Sequence, residues 1–173
     1  MSTTVGAGRK VAGKPAARAR ERMTYMTMRT LSAALAACAG LWAAPAWAGE
    51  AELMVYKSPT CGCCSKWIEH LEAHGFDVES ENRRDMAAVK AQNGVPMQMA
   101  SCHTAIVEGY VIEGHVPAED IARLLEERPA LSGLAVPDMP VGSPGMEGPN
   151  PQRYQVLGFD AEGRVVSYAA HGP

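Results

Sequence analysis

The order of apolar and polar positions in the first half of residues 49–173 predicts two strands that alternate with two helices. An apolar run at residues 53–56 ends in a polar loop, as a buried strand often does. Apolar residues then recur at roughly helical spacing through residues 65–75, and the closing glycine is a common helix end. Residues 76–79 alternate like a second strand, and residues 86–92 predict a short second helix.

The pattern continues with a hairpin and a third helix. Residues 104–107 and 110–112 are largely apolar and are joined by a Glu-Gly turn, so they predict an antiparallel pair. Residues 116–125 open with proline and acidic residues, which the helix dipole favours at an N-terminus. The predicted order is therefore βαβαββα, which indicates an α/β fold.

After Pro129 the composition changes. Residues 133–151 contain five prolines and four glycines, which predicts an irregular loop. Residues 154–159 and 164–169 then predict two strands joined by a turn. The sequence thus predicts a C-terminal β-hairpin extension of the α/β domain.

The N-terminal region resembles a removable export signal. A basic start at Arg29 precedes an apolar, alanine-rich run that closes on Ala46-Trp47-Ala48, which predicts cleavage after Ala48 and a periplasmic location. The Arg-rich residues 1–22 are unusual for such a signal and are interpreted as part of an overcalled start. We therefore assign residues 1–48 to the overcalled start and signal peptide, and residues 49–173 to one folded domain.

Charge narrows the possible partners. The net charge of the 173-residue chain is −3. This charge predicts no basic surface for binding nucleic acid, and it is too small for the protein to bind a membrane surface electrostatically. A small species or another protein is the expected partner. Residues 35–38 resemble a lipobox that would attach lipid to Cys38, but the apolar run continues well beyond it, which favours an incidental cysteine.

Four cysteines carry the chemistry that the sequence predicts. Cys61 and Cys64 form a C-x-x-C between a strand and a helix, the context of thioredoxin-like folds, where the helix N-terminus favours thiolate. Cys63 adds a third thiol that disulfide chemistry does not need, whereas Cu(I) prefers thiolates and several ions can share bridging sulfurs. In a thioredoxin-like fold the loop before the third strand faces the C-x-x-C, so Cys102 is expected beside the other three.

Two other interpretations of the cysteines remain open. An even number of cysteines in an oxidising compartment permits two structural disulfides, although a bond between neighbours such as Cys63 and Cys64 is strained. Structural zinc usually takes two separated pairs of cysteines, whereas this chain has one dense group and the lone Cys102. The spacing therefore suits a thiolate-bridged cluster better than a structural zinc site.

Methionines and histidines give weaker signals. Thioether is a soft ligand suited to Cu(I), yet hydrophobic capping or gap filling is the favoured explanation for any single methionine. The methionines in predicted loops are Met97, Met99, Met139 and Met146. His103 adjoins Cys102 and could bind copper through its imidazole, but strand alternation is expected to turn it to the opposite face, toward the surface. The remaining histidines have no convergent partners in sequence and are expected to face solvent or lie in loops, namely His70, His74, His115 and His171.

An ordered series of motifs resembles a known family over about residues 53–170, nearly all of the predicted mature chain. The motifs are KSPTCGCC at residues 57–64, GVP at residues 94–96, SCHT at residues 101–104, EGHVP at residues 113–117 and GLAVP at residues 133–137. They are similar to the metal-binding family of unknown function that includes the CopG proteins of copper-resistance clusters. Asp138 stands where that family usually has glycine, which bears on the backbone of the loop because glycine reaches positive φ at lower energy.

The resemblance implies a periplasmic, thioredoxin-like protein that accompanies copper and heavy-metal efflux systems. It implies a multinuclear Cu(I) cluster, and it leaves open whether the protein also changes the redox state of copper as an oxidoreductase. The implied metal ligands are Cys61, Cys63, Cys64 and Cys102. Two alternatives stay in view, a periplasmic thiol-disulfide oxidoreductase that uses Cys61 and Cys64, and a disulfide-stapled adaptor.

Overall fold

The computed structural model describes residues 51–173, which form a seven-stranded sheet with three α-helices. The predicted signal peptide, its cleavage site after Ala48 and the cysteine at position 38 lie outside the described residues. Within this part of the chain, no helix has the length and apolar character needed to cross a bilayer. The elements are β1 (Glu52–Lys57), α1 (Gly62–Ala73), β2 (Asp77–Asn82), α2 (Met86–Gln92), β3 (His103–Val107), β4 (Tyr110–Glu113), α3 (Ala118–Glu127), β5 (Gly133–Ala135), β6 (Tyr154–Phe159) and β7 (Val165–His171).

The first seven elements follow the predicted βαβαββα order, and the α/β class is confirmed. The strands are arranged β2-β1-β3-β4-β5-β6-β7 across the sheet. The β1–β2 and β4–β5 pairs are parallel, and all other neighbouring pairs are antiparallel. Because β1 and β3 are adjacent and antiparallel, the loop after β1 and the loop before β3 meet at the same end of these two strands.

The short strand β5 is the main departure from the sequence-based expectation. It lies at the start of the segment predicted to be irregular, and it pairs with both β4 and β6. The prediction missed it because three residues give no usable periodicity. A Cβ at Gly133 would collide with the backbone of Val111, so the close β4–β5 approach requires glycine there. The C-terminal β6–β7 hairpin thereby continues the same sheet.

Apolar side chains cover both faces of the sheet. On one face, Trp67 and Leu71 of α1 and Ile121 and Leu124 of α3 are fully buried in the main core. On the other face, Met99 packs in a smaller cluster that includes Val111, Ala135 and Phe159. Met99 is only 5% exposed, so core packing explains this methionine, in agreement with the gap-filling interpretation favoured for any single methionine.

Asp138, which stands where the resembled family usually has glycine, adopts the left-handed backbone conformation that glycine reaches most easily. Its φ is +61°, and the residue is exposed. Aspartate tolerates this conformation better than most residues because its short polar side chain can bond locally. Its carbonyl accepts a hydrogen bond from Ser101 Oγ at 2.5 Å, so the loop contacts the segment that carries Cys102.

Candidate metal centre

The C-x-x-C segment lies where the chain leaves β1 and enters α1. Ser58 turns the chain, since its carbonyl accepts a hydrogen bond from Cys61 N at 3.1 Å. Cys61 is the N-cap residue of α1, and Cys63 and Cys64 lie in the first turn, where backbone N–H groups lack helical acceptors. Cys61 and Cys64 form a disulfide bond. Cys63 keeps a free thiol 3.5 Å from the sulfur of Cys61.

Strand pairing brings Cys102 to the same place. His103, the first residue of β3, lies opposite Lys57, the last residue of β1, so Cys102 arrives next to the start of α1. Its Sγ and the sulfurs of the other three described cysteines all lie within 4.8 Å of one another. The expected approach of Cys102 to the dense cysteine group is confirmed. Whether the four sulfurs act as metal ligands stays a prediction.

Two buried histidines form a second group with Cys102. Its Sγ lies 3.2 Å from His103 Nδ1 and 3.0 Å from His115 Nε2. Both imidazoles are fully buried, so the expected surface position of His103 is wrong. His115 lies in a loop, one of the two environments expected for it, but it does not face solvent. The alternation argument failed for His103 because Cys102 precedes β3 and does not follow the geometry of that strand. His115 lies in the turn after β4, and no local sequence pattern shows that the 136–149 segment covers it.

Hydrogen bonding fixes the proton positions on these imidazoles. The carbonyl of Pro144 can only accept, so His115 Nδ1 donates to it at 2.6 Å. In neutral His115, Nε2 is then the acceptor for the Cys102 S–H. Because the thiol has one proton, His103 Nδ1 donates to Cys102 Sγ. His103 Nε2 is left as a buried acceptor that finds no partner within residues 51–173.

Burial also determines the charge of this group. It lowers the pKa of His103 well below its usual range and lowers the pKa of His115. It raises the pKa of Cys102 to about 12, and the neighbouring Cys63 adds to the rise. At neutral pH both imidazoles are therefore neutral and the Cys102 thiol is protonated. A metal that binds this sulfur has to displace the proton.

The segment of residues 136–149 covers one side of the centre. Besides the bond from His115 to Pro144, Gly145 packs directly on the first turns of α1. A Cβ on Gly145 would lie 2.7 Å from the Cys63 carbonyl oxygen and 2.8 Å from Trp67 N. A groove of about 560 Å³ remains between this segment and α1, lined by residues that include Cys63 and Met146.

The other methionines and histidines have different environments. Met146 is half-buried in that groove, whereas Met97 is 91% exposed and Met139 is 48% exposed. His74 is exposed, as expected. His70 and His171 are half-buried, so they face solvent only in part. His70 Nε2 accepts from Ala118 N at 3.2 Å, and His171 Nε2 lies 2.6 Å from Asp120 Oδ2.

The donor set fits a soft metal. Two sulfurs bound to one ion at about 2.3 Å each are at most about 4.6 Å apart, and the four sulfurs all lie within 4.8 Å of one another. In the disulfide state Cys61 and Cys64 are bonded to each other, so Cys63 and Cys102 are the described cysteines with free thiols. Reduction by two electrons would provide four thiols in the same small volume.

Comparisons with known proteins find two similar solved structures. A solved structure named "Copper resistance protein copG- Form 2" is 48% identical, with a TM-score of 0.68, over 71% of this chain and 99% of that chain. One named "Copper resistance protein copG- Form 1" is 47% identical, with the same TM-score, over 72% and 99%. A family model described as "Protein of unknown function, DUF411" matches residues 99–146. No curated protein matches the chain.

Proposed function

The chain belongs to the CopG family of copper resistance proteins, and we propose that it binds several Cu(I) ions through Cys61, Cys63, Cys64 and Cys102. The observation that carries this proposal is the convergence of four sulfurs within 4.8 Å of one another. Thiolates are the preferred ligands of Cu(I), and each ion needs only two or three of them when sulfurs bridge. Zinc is a poorer candidate, because its structural sites usually use two separated cysteine pairs.

Cys102 is also surrounded by groups that suit metal binding. The unprotonated Nε2 of His115 faces its sulfur, and the Pro144 carbonyl holds the imidazole in that tautomer. This nitrogen is placed to take up the thiol proton when a metal displaces it, or to bind copper itself. The half-buried Met146 beside Cys63 supplies a further soft donor near the centre.

The disulfide supports a redox step at the same site. In this step the Cys61 and Cys64 thiols each lose one electron, reduce two Cu(II) ions to two Cu(I) ions, form the disulfide and release two protons. A thiol reductant of the envelope then restores the dithiol. In this scheme the Cys61–Cys64 pair supplies the electrons, while Cys63 and Cys102 bind the Cu(I) ions that are produced. Separate roles of this kind account for a C-x-x-C and additional thiols at one site.

A second candidate function is a thiol-disulfide oxidoreductase. The Cys61–Cys64 disulfide at the N-terminus of α1 favours it, because this position is typical of reactive C-x-x-C pairs. It leaves Cys63 and the half-buried Cys102 without a role. We therefore rank copper binding first.

The decisive experiment is an anaerobic Cu(I) titration of the reduced protein, with a competing chelator to measure affinity. The reduced protein is expected to bind more Cu(I) than the protein with the Cys61–Cys64 disulfide, because two additional sulfurs become ligands. An insulin-reduction assay runs beside it. Catalysis of insulin reduction without stoichiometric Cu(I) binding would favour the oxidoreductase and reject the copper site.

We place this activity in the periplasm, where disulfides persist. The signal-like residues 28–48, with cleavage after Ala48 and a folded domain at residues 49–173, support this location. The intact mass of the exported protein is expected to correspond to a chain that begins at Gly49. A mass that includes a diacylglyceryl group on Cys38 would instead indicate a membrane-anchored lipoprotein.

A further inference from the structure

A largely buried ion pair, in which the lysine side chain is 13% exposed, lies beside the metal centre, outside the cysteine and histidine groups. The Glu113 side chain is fully buried, and its Oε1 lies 2.5 Å from Lys90 Nζ. Thr104 faces Glu113 across the β3–β4 pair and donates from Oγ1 to Oε2 at 2.7 Å. Lys90 Nζ also donates to Thr104 Oγ1 at 3.2 Å. The pair therefore links α2 to the two central strands.

One further donor connects this ion pair to the metal centre. The backbone N–H of Ser101 donates to Glu113 Oε1 at 2.6 Å. Ser101 directly precedes Cys102 and lies outside the strands, so no β-ladder holds its peptide group. A hydrogen bond to a charged acceptor is stronger than one between neutral groups. The carboxylate thus fixes the peptide immediately before the one cysteine that comes from a distant part of the chain.

The buried carboxylate of Glu113 is not explained by stability alone. A buried ion pair is often no more stabilising than apolar residues of similar volume, because desolvation offsets the attraction between the charges. Apolar side chains at positions 90 and 113 could fill the same space, but they could not accept a hydrogen bond from Ser101. Oε1 is shared between Lys90 and Ser101, so the lysine supports the acceptor that the loop uses.

We infer that Glu113 is a positioning residue of the metal centre: its carboxylate holds the Ser101 peptide and so keeps the Cys102 sulfur within reach of the other three. The metal-binding part of this inference rests on the proposed function. The placement of Cys102 in the metal-free protein does not, and it can be measured separately.

Two double variants isolate the acceptor. Lys90→Met with Glu113→Met removes both charges and the acceptor for Ser101, whereas Lys90→Met with Glu113→Gln removes the charges but keeps an oxygen. Both proteins are compared with the Cys61–Cys64 disulfide intact, using a short bifunctional thiol reagent and peptide mapping of the Cys63–Cys102 bridge. We expect a severalfold lower bridging yield in the Met/Met protein and a nearly unchanged yield in the Met/Gln protein. Equal yields in the two proteins would overturn the inference.

A copper measurement extends the test to the proposed function. The Met/Met protein should lose Cu(I) affinity about 10–100-fold, the usual effect of removing a group that orients a metal ligand. In a Cys102→Ser background the same change should have little effect, because Glu113 acts through Cys102. A similar loss in both backgrounds would show a merely structural role. If the unaltered protein binds no Cu(I), the proposed function fails, while the bridging result still decides the role of Glu113.

A measurement on the unaltered protein covers the case in which the Met/Met protein does not fold. The Ser101 amide should exchange its hydrogen as slowly as amides inside β3, although it lies outside that strand. Exchange as fast as that of an exposed loop amide would contradict the proposed anchor.

Discussion

Replacing Cys63 with serine is expected to lower the number of Cu(I) ions held by the reduced protein as strongly as replacing Cys61 or Cys64. C-x-x-C chemistry needs an attacking and a resolving thiol, and it does not need the residue between them. A third thiolate matters when several ions share bridging sulfurs, so its loss should remove about one ion or more per chain. Serine is close to cysteine in size, so the fold should survive. Metal analysis after anaerobic loading and gel filtration measures the change.

The matched controls for this prediction are Cys61→Ser and Cys64→Ser. Both should lower copper capacity and also abolish any disulfide exchange, whereas Cys63→Ser should affect only copper. Thermal unfolding confirms that each metal-free protein is folded. Full copper loading of Cys63→Ser, together with loss of thiol-disulfide activity in the other two variants, would require abandoning the cluster in favour of the oxidoreductase.

Replacing Gly145 with alanine is expected to lower the free energy of unfolding by about 2–5 kcal/mol. The loss has two causes, a side chain on a left-handed backbone and an added methyl group in a space that is already filled. Gly145 has φ +82°, and its added Cβ would press on the backbone of Cys63 and Trp67. The segment must move away from α1, which also disturbs the neighbouring Pro144 carbonyl that holds His115. Urea unfolding of the metal-free protein measures the stability, and Cu(I) competition measures the affinity, which should fall as well.

Gly75→Ala is the control for backbone strain alone. Gly75 has φ +86°, and an added Cβ would meet nothing within 4 Å. We expect a loss of about 1–2 kcal/mol and an unchanged Cu(I) affinity. Equal losses of stability and unchanged affinity in both variants would mean that the 136–149 segment does not brace the centre.

The elements with strong local patterns were predictable from sequence. Helix α2 (Met86–Gln92) and strand β6 (Tyr154–Phe159) have the predicted bounds, because caps, turns and periodicity are local properties. Strand β5 was missed because it is three residues long and exists only through pairing with β4 and β6. Its residues carry no strand pattern that would distinguish them from the proline-rich loop.

The candidate site divides in the same way. The spacing of Cys61, Cys63 and Cys64 is a local feature, and the predicted approach of Cys102 followed from the order of elements. The sequence did not identify Glu113, although an acidic residue at the end of the apolar strand β4, opposite Thr104 in the hairpin, is a signal that could have found it. It also misplaced His103 at the surface, and it gave no sign that the loop residue His115 is buried beside Cys102.

The sequence by itself determined the α/β element order and the four cysteines, because short-range periodicity, turn residues and motif spacing are written along the chain. Only the tertiary structure decided which groups surround Cys102. Burial of His115 depends on a segment about thirty residues away, whose Pro144 carbonyl binds it and whose Gly145 packs on α1. The Glu113 carboxylate reaches Ser101 only because β3 and β4 pair in one register. Such contacts depend on long-range packing, which no local pattern contains.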